Sequence, residues 1–380
     1  MKCSICGRQY SKPVQRCECG EPVEFEVFKG EPYIGKSIWE RFWDFWPVEP
    51  VMKLSLGEGD TPLVKSKLGK EFGVKLHLKN ETVNPTWSFK DRGTFLAVSY
   101  ALKAGYKAVG TVSTGNMAAS VAAYASRFDL DAVILVSENA GDEKLKAVSV
   151  YGGDVIRVRG DYGRLYFESL KLGERLRIYF INSDNPFRVE GYKGIAFEIA
   201  EEITPDYVLV PTSSGGLFRG IAKGFIELKE SGLIDELPML VAVQVGGCSP
   251  ICRAFHDGKE RIERFQNPGT IAKAIANPYP PSGNAVLKLL GKFGWECVTV
   301  SDSEIIEAQR ELAGEGLFVQ PASATGIAAL KKLVDSESIR EGSKVVSILT
   351  GSGLKTLKSA PEGEVEDCPL ETLDNCLKSR

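Results

Sequence analysis

Lys90 is the residue in this sequence best suited to covalent chemistry. It follows Phe89 at the start of a segment with apolar residues at helical spacing, and Ser88 with Asp91 three residues later predicts a capping box. Lys90 is therefore expected in the first turn of a helix, where the positive end of the dipole destabilises an ammonium and lowers its pKa. A surface lysine gains nothing from that position, whereas a lysine that attacks a carbonyl as a free amine does. The context favours a nucleophilic Lys90 over a solvated one.

Histidine is too rare to supply the usual acid–base chemistry. The chain has two, His77 in an alternating stretch that predicts a strand and His256 in a polar stretch. A serine or cysteine triad and a multi-histidine metal site are therefore nearly excluded. Acid–base chemistry must come from lysine, from carboxylates or from a cofactor.

Three loops rich in glycine, serine and threonine follow predicted strands, where parallel sheets bind ligands. They are Ser113–Asn116, Ser213–Gly216 and Thr350–Gly353. The second loop opens a predicted helix, so its backbone amides and the helix dipole suit a phosphate. It has neither the lysine of a P-loop nor the G-x-G-x-x-G spacing of a dinucleotide site. A phosphate loop combined with a lysine at a helix start suggests pyridoxal phosphate held as a Schiff base.

Four of the nine cysteines lie in two close pairs near the amino terminus: Cys3, Cys6, Cys17 and Cys19. The spacing is typical of a small ribbon that holds a structural zinc ion through four thiolates. A disulfide pair is the weaker alternative for a cytosolic chain, and the single residue between Cys17 and Cys19 is shorter than the usual spacer. Glutamates around the second pair argue against a ribbon that binds nucleic acid.

The composition is that of an ordinary globular chain of 380 residues with a net charge of −3. Nucleic acid and anionic membranes are poor partners for such a charge, and no apolar segment approaches the roughly 20 residues of a membrane span. The amino terminus has no signal-peptide pattern, which favours the cytoplasm. The length allows two domains and a small extra one.

Predicted strands and helices alternate along most of the chain. We expect strands at 74–79, 109–112, 132–136, 154–159, 178–181, 207–210, 240–244 and 344–350. We expect helices at 117–128, 190–203, 217–231 and 323–334, and another after a capping box at Ser301 and Glu304. This alternation predicts βαβ units on parallel sheets. The aromatic stretch from Trp39 to Pro47 predicts an amphipathic helix that packs the amino-terminal extension onto the main body.

Residues Asn84–Gly93 resemble the lysine motif of threonine synthases, in the fold type II (tryptophan synthase β-like) family of pyridoxal-phosphate enzymes. Further motifs match in order: Gly59–Leu63, Ser113–Asn116, Asn182–Gly191, Gln320–Ala324 and Leu349–Lys355. The resemblance covers about residues 55–356, and the cysteine ribbon resembles the extension of archaeal-type members.

The resemblance implies an α/β fold with two three-layer, parallel-sheet domains and a small zinc-ribbon-like extension. The expected divisions are 1–50 for the ribbon and aromatic extension, 51–95 with 185–360 for the large cofactor domain, 96–184 for the small domain, and 361–380 for an acidic tail. Homodimers are usual in the family.

The resemblance also implies site residues. Lys90 would form the Schiff base and later move protons. The other cofactor contacts would be Phe89, Asn116, Ser213, Ser214, Gly215, Gly216, Leu217 and Thr350. The substrate contacts would be Ser113, Thr114, Gly115, Asn182, Ser183 and Arg188. A surface ion pair with Glu190 or Asp184 is the ordinary alternative for Arg188.

The sequence departs from the family pattern mainly at substrate-contacting positions. Trp87 stands where glycine is usual, Met117 where a small hydroxyl residue is usual, Tyr192 where glutamine is usual and Ser352 where histidine is usual. The leading hypothesis is a threonine synthase acting on O-phospho-L-homoserine and water. The alternatives are β-replacement on O-phosphoserine, as in cysteate synthase-like or cysteine synthase-like enzymes, threonine or serine ammonia-lyase activity, and a non-catalytic scaffold.

Overall fold

The computed structural model describes residues 1–138, 140–160, 162–359 and 368. The predicted acidic tail, including Cys376, therefore lies outside the described residues apart from Cys368. No helix in the described part of the chain is both long enough and apolar enough to cross a membrane.

The amino-terminal extension carries two short strands and little helix. The strands are β1 (Lys2–Cys3) and β2 (Val23–Glu24), paired antiparallel. The predicted long aromatic helix is wrong, because the segment forms one turn, α1 (Ile38–Arg41), followed by a 3₁₀ turn at Trp43–Phe45. The aromatic side chains nevertheless pack on the main body, and Phe42 stacks on Phe197 with ring centroids 4.4 Å apart.

A six-stranded sheet forms the larger layer. Its strands are β3 (Leu63–Lys65), β4 (Lys75–Asn80), β9 (Tyr207–Pro211), β10 (Met239–Val245), β11 (Glu296–Val300) and β12 (Lys344–Leu349). The spatial order is β11-β10-β9-β12-β4-β3, and every pair is parallel except β3 with β4. The strand interiors are buried, as expected for a sheet covered by helices on both faces.

A smaller, four-stranded parallel sheet has the order β7-β6-β5-β8. Its strands are β5 (Ala108–Val112), β6 (Asp131–Ser137), β7 (Asp154–Val158) and β8 (Ile178–Phe180). All its strand pairs are parallel, which confirms the prediction of βαβ units.

Helices cover both sheets. They are α2 (Lys90–Lys103), α3 (Asn116–Arg127), α4 (Asp142–Val150), α5 (Tyr162–Leu176), α6 (Pro186–Tyr192), α7 (Gly194–Glu202), α8 (Gly216–Glu230), α9 (Pro250–His256), α10 (Gly283–Phe293), α11 (Asp302–Gly314) and α12 (Pro321–Asp335). The capping box that begins α11 is confirmed, whereas the single helix predicted at 190–203 is two helices that meet at Lys193. The disulfide Cys252–Cys297, which joins α9 to β11, was not predicted.

Buried charged side chains attach the extension to the main body. Lys193 pairs with Glu190 at 2.6 Å and with Glu227 at 2.8 Å, and its ammonium also donates to the carbonyl oxygen of Phe45. The Phe28 amide donates to Glu227 at 3.1 Å. Because these charges are removed from water, their hydrogen bonds to the Phe45 and Phe28 backbone fix where the extension can pack.

Candidate active site

The loops that follow β4, β5, β9 and β12 meet around a cavity of about 1390 Å³. The predicted site residues that line it are Phe89, Lys90, Ser113, Thr114, Gly115, Asn116, Ser183, Ser213, Ser214, Gly215, Gly216, Leu217 and Thr350. Asn182 and Arg188 are not among the lining side chains. The structure therefore brings together loops that are far apart in sequence, at the carboxyl ends of the strands.

Charge in the cavity wall is predominantly positive. The basic side chains that line it are Arg16, Lys90, Arg261, Arg264, Lys273 and Lys355. Glu21 is the single carboxylate among the described residues that line the cavity. Such a lining attracts anions, and low-dielectric walls strengthen the attraction.

Lys90 begins helix α2, as predicted, but the predicted capping box is wrong. The Asp91 carboxylate accepts hydrogen bonds from the Thr86 amide and hydroxyl, both at 2.6 Å, and the Ser88 hydroxyl has no hydrogen-bond partner among the residues that the structure describes. Asp91 thus fixes the loop before the helix instead of capping its first turn.

The Lys90 amine is held in a form suited to nucleophilic attack. Burial lowers its pKa well below the ordinary value, and the positive charge of Arg188 lowers it further. Its Nζ lies 4.1 Å from the centre of the Phe89 ring. No carboxylate pairs with Lys90 in the part of the chain that the structure describes. This environment favours the free amine over the ammonium.

The Ser213–Leu217 loop has the shape of a phosphate cradle. Gly215 has a φ of 90°, and a Cβ there would lie 2.8 Å from Val286 Cγ2. A Cβ on Gly216 would collide with the carbonyl oxygen of Ser183. The loop therefore requires glycine at both positions. It lies at the start of α8, where the first backbone amides have no hydrogen-bond partner within the helix. Together with the Lys90 amine and its lowered pKa, this donor set fits pyridoxal phosphate.

Two hydrogen-bonded pairs shape the rest of the cofactor region. Asn116 donates to Gln320 at 2.8 Å, and the Thr350 hydroxyl lies 2.9 Å from that of Ser323. Gln320 and Ser323 belong to a matched motif but were not predicted as site residues. The signal that would have found them is their place at the start of α12, next to the carboxyl end of β12.

Arg188 is fully buried, so the alternative of a surface ion pair is wrong. Its guanidinium donates to the Tyr192 hydroxyl and, at 3.2 Å, to Thr94, while its Nη2 atom has no partner within the described part of the chain. Glu190 pairs with lysines and Asp184 with Arg16 instead. Among the described residues, no carboxylate compensates Arg188. An uncompensated buried cation is costly unless an anion joins it.

The remaining predicted positions differ in their access to the cavity. The Asn182 side chain is occupied within the fold, since it accepts from the Val112 amide at 3.0 Å and donates to Ser169 at 3.1 Å. Met117 and Tyr192 line the cavity, and Ser352 is buried outside its lining. Trp87 also lines the cavity, and its side chain is half exposed. Its backbone φ of 62° is unusual for a bulky residue.

The four amino-terminal cysteines form a compact cluster. Their sulfur atoms all lie within 4.8 Å of one another, with Cys3–Cys19 and Cys6–Cys17 both at 3.6 Å. Tetrahedral zinc with Zn–S bonds of about 2.3 Å places sulfur atoms roughly 3.8 Å apart. The cluster therefore fits a four-thiolate metal site.

Comparison with known proteins relates most of the chain to one family. Residues 54–351 match the family model of pyridoxal-phosphate dependent enzymes. The chain is 39% identical to the threonine synthase of Methanocaldococcus jannaschii, over 99% of this chain and 98% of that protein. It is 35% identical to the threonine synthase of Methanosarcina acetivorans, over 98% and 95% of the two chains.

Solved structures show the same fold at lower identity. Maize serine racemase matches with a TM-score of 0.67 and 23% identity, over 84% of this chain and 92% of that chain. A processed threonine deaminase from Solanum lycopersicum also gives a TM-score of 0.67, with 21% identity over 94% and 99% of the two chains. These likenesses confirm the predicted architecture of two parallel sheets.

Proposed function

Because this chain belongs to the pyridoxal-phosphate dependent enzymes and, within them, to the threonine synthases, we propose that it converts O-phospho-L-homoserine and water into L-threonine and phosphate. The observation that carries the choice of a phosphorylated substrate is the buried, uncompensated guanidinium of Arg188 beside Lys90. The positive lining of the cavity supports the same choice. A substrate with a dianionic group would supply the missing negative charge.

We assign the cofactor to the loops around Lys90. The phosphate of pyridoxal phosphate would be held by the amides of Ser213–Leu217, the ring by Phe89 and Asn116, and the ring nitrogen would face Thr350. When bound, this cofactor supplies an electron sink that stabilises negative charge on carbon atoms near the substrate amine. Because Thr350 offers a neutral hydroxyl in place of a carboxylate, the ring nitrogen would stay largely unprotonated and the electron sink would be weaker. A weaker electron sink favours elimination and addition.

The proposed reaction moves protons among three carbon atoms of the substrate. Phosphate leaves the γ-carbon, which gains a proton, while the β-carbon loses a proton and gains the hydroxyl group of water. The remaining proton of water goes to the phosphate. Lys90 is the group in the cavity whose free amine can take the α-proton and carry the others. The amides of Ser113–Gly115 would bind the carboxylate, and Asn182, Ser183 and Arg188 remain our proposal for the phosphate.

Incubation of cofactor-loaded protein with O-phospho-L-homoserine tests this function. We expect threonine and phosphate to appear in equal amounts, measured by chromatography and a phosphate assay. Cofactor-loaded protein that forms no threonine contradicts the proposal.

The second candidate function is β-replacement on O-phosphoserine by sulfite or sulfide. Met117 and Tyr192 favour it, because both bulky side chains line the cavity and leave less room for a longer substrate. Conversion of O-phosphoserine, without conversion of O-phospho-L-homoserine, would establish this candidate. Ammonia release from serine or threonine would indicate lyase activity, and loaded protein without any turnover would indicate a scaffold.

Replacing Arg188 with methionine is expected to raise KM for the phosphorylated substrate by about 10- to 100-fold, with a smaller change in kcat. The same change removes a positive charge near Lys90, so the pKa of Lys90 should rise. Steady-state kinetics across pH measure both effects, and Arg188→Lys, which keeps the charge, is the control. An unaltered KM in Arg188→Met would remove Arg188 from the substrate site.

We propose that the cysteine cluster holds one structural zinc ion. Four thiolates leave no open coordination position, so the ion has no catalytic role. Elemental analysis should give one zinc per chain, and Cys6→Ser should lower that content and the melting temperature together. Cys248→Ser, which changes a free cysteine outside the cluster, should retain the ion. Full zinc content in Cys6→Ser would argue against this site.

We also propose a cytoplasmic homodimer whose catalytic body has two domains. The six-stranded sheet supports a large domain of 51–95 with 185–360, and the four-stranded sheet supports a small domain of 96–184. The Cys252–Cys297 disulfide is unusual for a cytoplasmic protein, because cytosolic thiols are mostly kept reduced.

A further inference from the structure

The cysteine ribbon contributes part of the cavity wall. The ribbon residues that line the cavity are Arg16, Cys19, Gly20 and Glu21. Hydrogen bonds attach the ribbon to helix α10, where Asn284 donates to Glu21 and Lys288 donates to the Ser4 carbonyl oxygen, both at 2.8 Å. The ribbon therefore forms part of the wall of the cavity in which the substrate is proposed to bind. Its hydrogen bonds to α10 attach it to the part of the molecule built on the six-stranded sheet.

The side chain of Arg16 connects the ribbon to the part of the molecule built on the four-stranded sheet. Its guanidinium forms an ion pair with Asp184 and donates at 3.2 Å to the hydroxyl of Tyr166, which itself donates to the same carboxylate. It also donates to the carbonyl oxygens of Gly20 and Pro281. Every nitrogen of the guanidinium is thus engaged by the protein, in contrast to Arg188. Arg16 has no donor free for a substrate.

The carboxylate of Asp184 lies next to residues that are proposed to bind the phosphate of the substrate. Its side chain is 2% exposed, and it follows Ser183, which lines the cavity. It also directly precedes Asn185, the residue that caps the helix carrying Arg188. Among the residues that the structure describes, Arg16 is the one cation paired with Asp184. Without that partner, a buried carboxylate would stand beside the proposed phosphate site.

We propose that Arg16 is a positioning residue that neutralises Asp184 and so permits an anionic substrate to bind between the ribbon and the small sheet. The inference rests on the proposed function for the identity of that substrate. The physical reason is electrostatic, since a like charge a few ångströms away in a low-dielectric site opposes the binding of a phosphate. The ribbon thereby has a role in substrate recognition in addition to its own folding.

The test compares four forms of the cofactor-loaded protein: wild type, Arg16→Met, Asp184→Asn and the double variant. Calorimetric titration with inorganic phosphate at about pH 8, where a carboxylate is ionised, measures anion binding without turnover. We expect Arg16→Met to weaken phosphate binding at least about tenfold, and the double variant to restore it to within about threefold of wild type. Kinetics should show the same pattern in KM, with kcat nearly unchanged in Arg16→Met.

Two controls separate this role from a merely structural one. Arg8→Met removes an exposed ribbon arginine that pairs with Glu18, and it should leave phosphate binding unchanged. Arg16→Lys keeps the charge and should bind phosphate nearly as wild type does, so it decides the matter if Arg16→Met fails to fold. Weak binding by Arg16→Lys contradicts the proposal.

Three results overturn the inference: unchanged phosphate binding in Arg16→Met, a double variant no better than Arg16→Met, or a wild type that does not bind phosphate. If the wild type binds phosphate but makes no threonine, the proposed function fails while the titration series still decides the role of Arg16.

Discussion

Replacing Lys90 with alanine is expected to lower turnover at least about 10⁴-fold and to abolish covalent attachment of pyridoxal phosphate. The amine is the nucleophile for the cofactor's aldehyde and the group that moves the substrate's protons, so one substitution removes both functions. Burial, and then the charge of Arg188, lower the pKa of this amine and favour its nucleophilic form.

Attachment can be measured independently of turnover. Borohydride reduction of the loaded protein should leave the cofactor's mass on the peptide containing Lys90, and Lys90→Ala should lack that mass. Lys90→Arg, which has a side chain of similar length but no nucleophilic amine, should behave like the alanine variant.

Lys355 is the matched control, because it is also a lysine of the cavity wall whose pKa is shifted downward. Burial lowers the pKa of its ammonium to about 8, although Asp91 opposes the shift, and its Nζ donates to the Thr86 carbonyl oxygen at 2.7 Å. Lys355→Ala should retain covalent attachment. Attachment lost in Lys355→Ala but kept in Lys90→Ala would transfer the covalent role to Lys355.

The sequence allowed the strand-end loops of the site to be predicted because each carries a local signal. A strand followed by glycine, serine and a helix marks the 213–217 loop without any knowledge of its neighbours. Parallel-sheet geometry then requires the loops to lie at one edge, and the structure confirms that they meet.

Side-chain pairings that depend on the assembled fold could not be predicted in the same way. Asp91 was expected to cap its own helix, yet Thr86 competes for its carboxylate from the preceding loop. Arg16 and Asp184 are 168 residues apart, so neither position indicates the other. Which polar side chains pair depends on which of them are buried together, and the assembled fold determines that burial.

Substituting Arg92 with methionine is expected to destabilise the protein by about 3–5 kcal/mol, because the change leaves two buried carboxylates without their main partner. Arg92 lies two residues after Lys90 and is fully buried. Its guanidinium contacts Glu81 at 2.6 Å and Glu198 at 2.5 Å. This pairing ties helix α2 to the end of β4 and to α7, and it thereby fixes the helix start that carries Lys90.

Chemical denaturation of the cofactor-free protein measures the loss in the free energy of unfolding. Lys103→Met is the control, since its pair with Glu49 is exposed and is expected to contribute less than about 1 kcal/mol. The triple variant Arg92→Met, Glu81→Gln, Glu198→Gln should recover part of the loss, because neutral side chains in place of the carboxylates lower the cost of burial. A loss in Arg92→Met no larger than in Lys103→Met would contradict this account.

The same network predicts how stability depends on acid. Burial alone would raise the pKa of the Glu198 carboxyl, but Arg92 and then Lys79 lower it to about 2 in the folded protein. A depressed pKa stabilises the folded state above the unfolded value of about 4.3, and that contribution is lost as the pH falls towards 2. Arg92→Met removes the main cause of the depression, so its free energy of unfolding should fall less steeply than that of wild type over this range. Since Arg92 also sets the start of the helix that bears Lys90, we expect the variant's residual activity to decline with its stability.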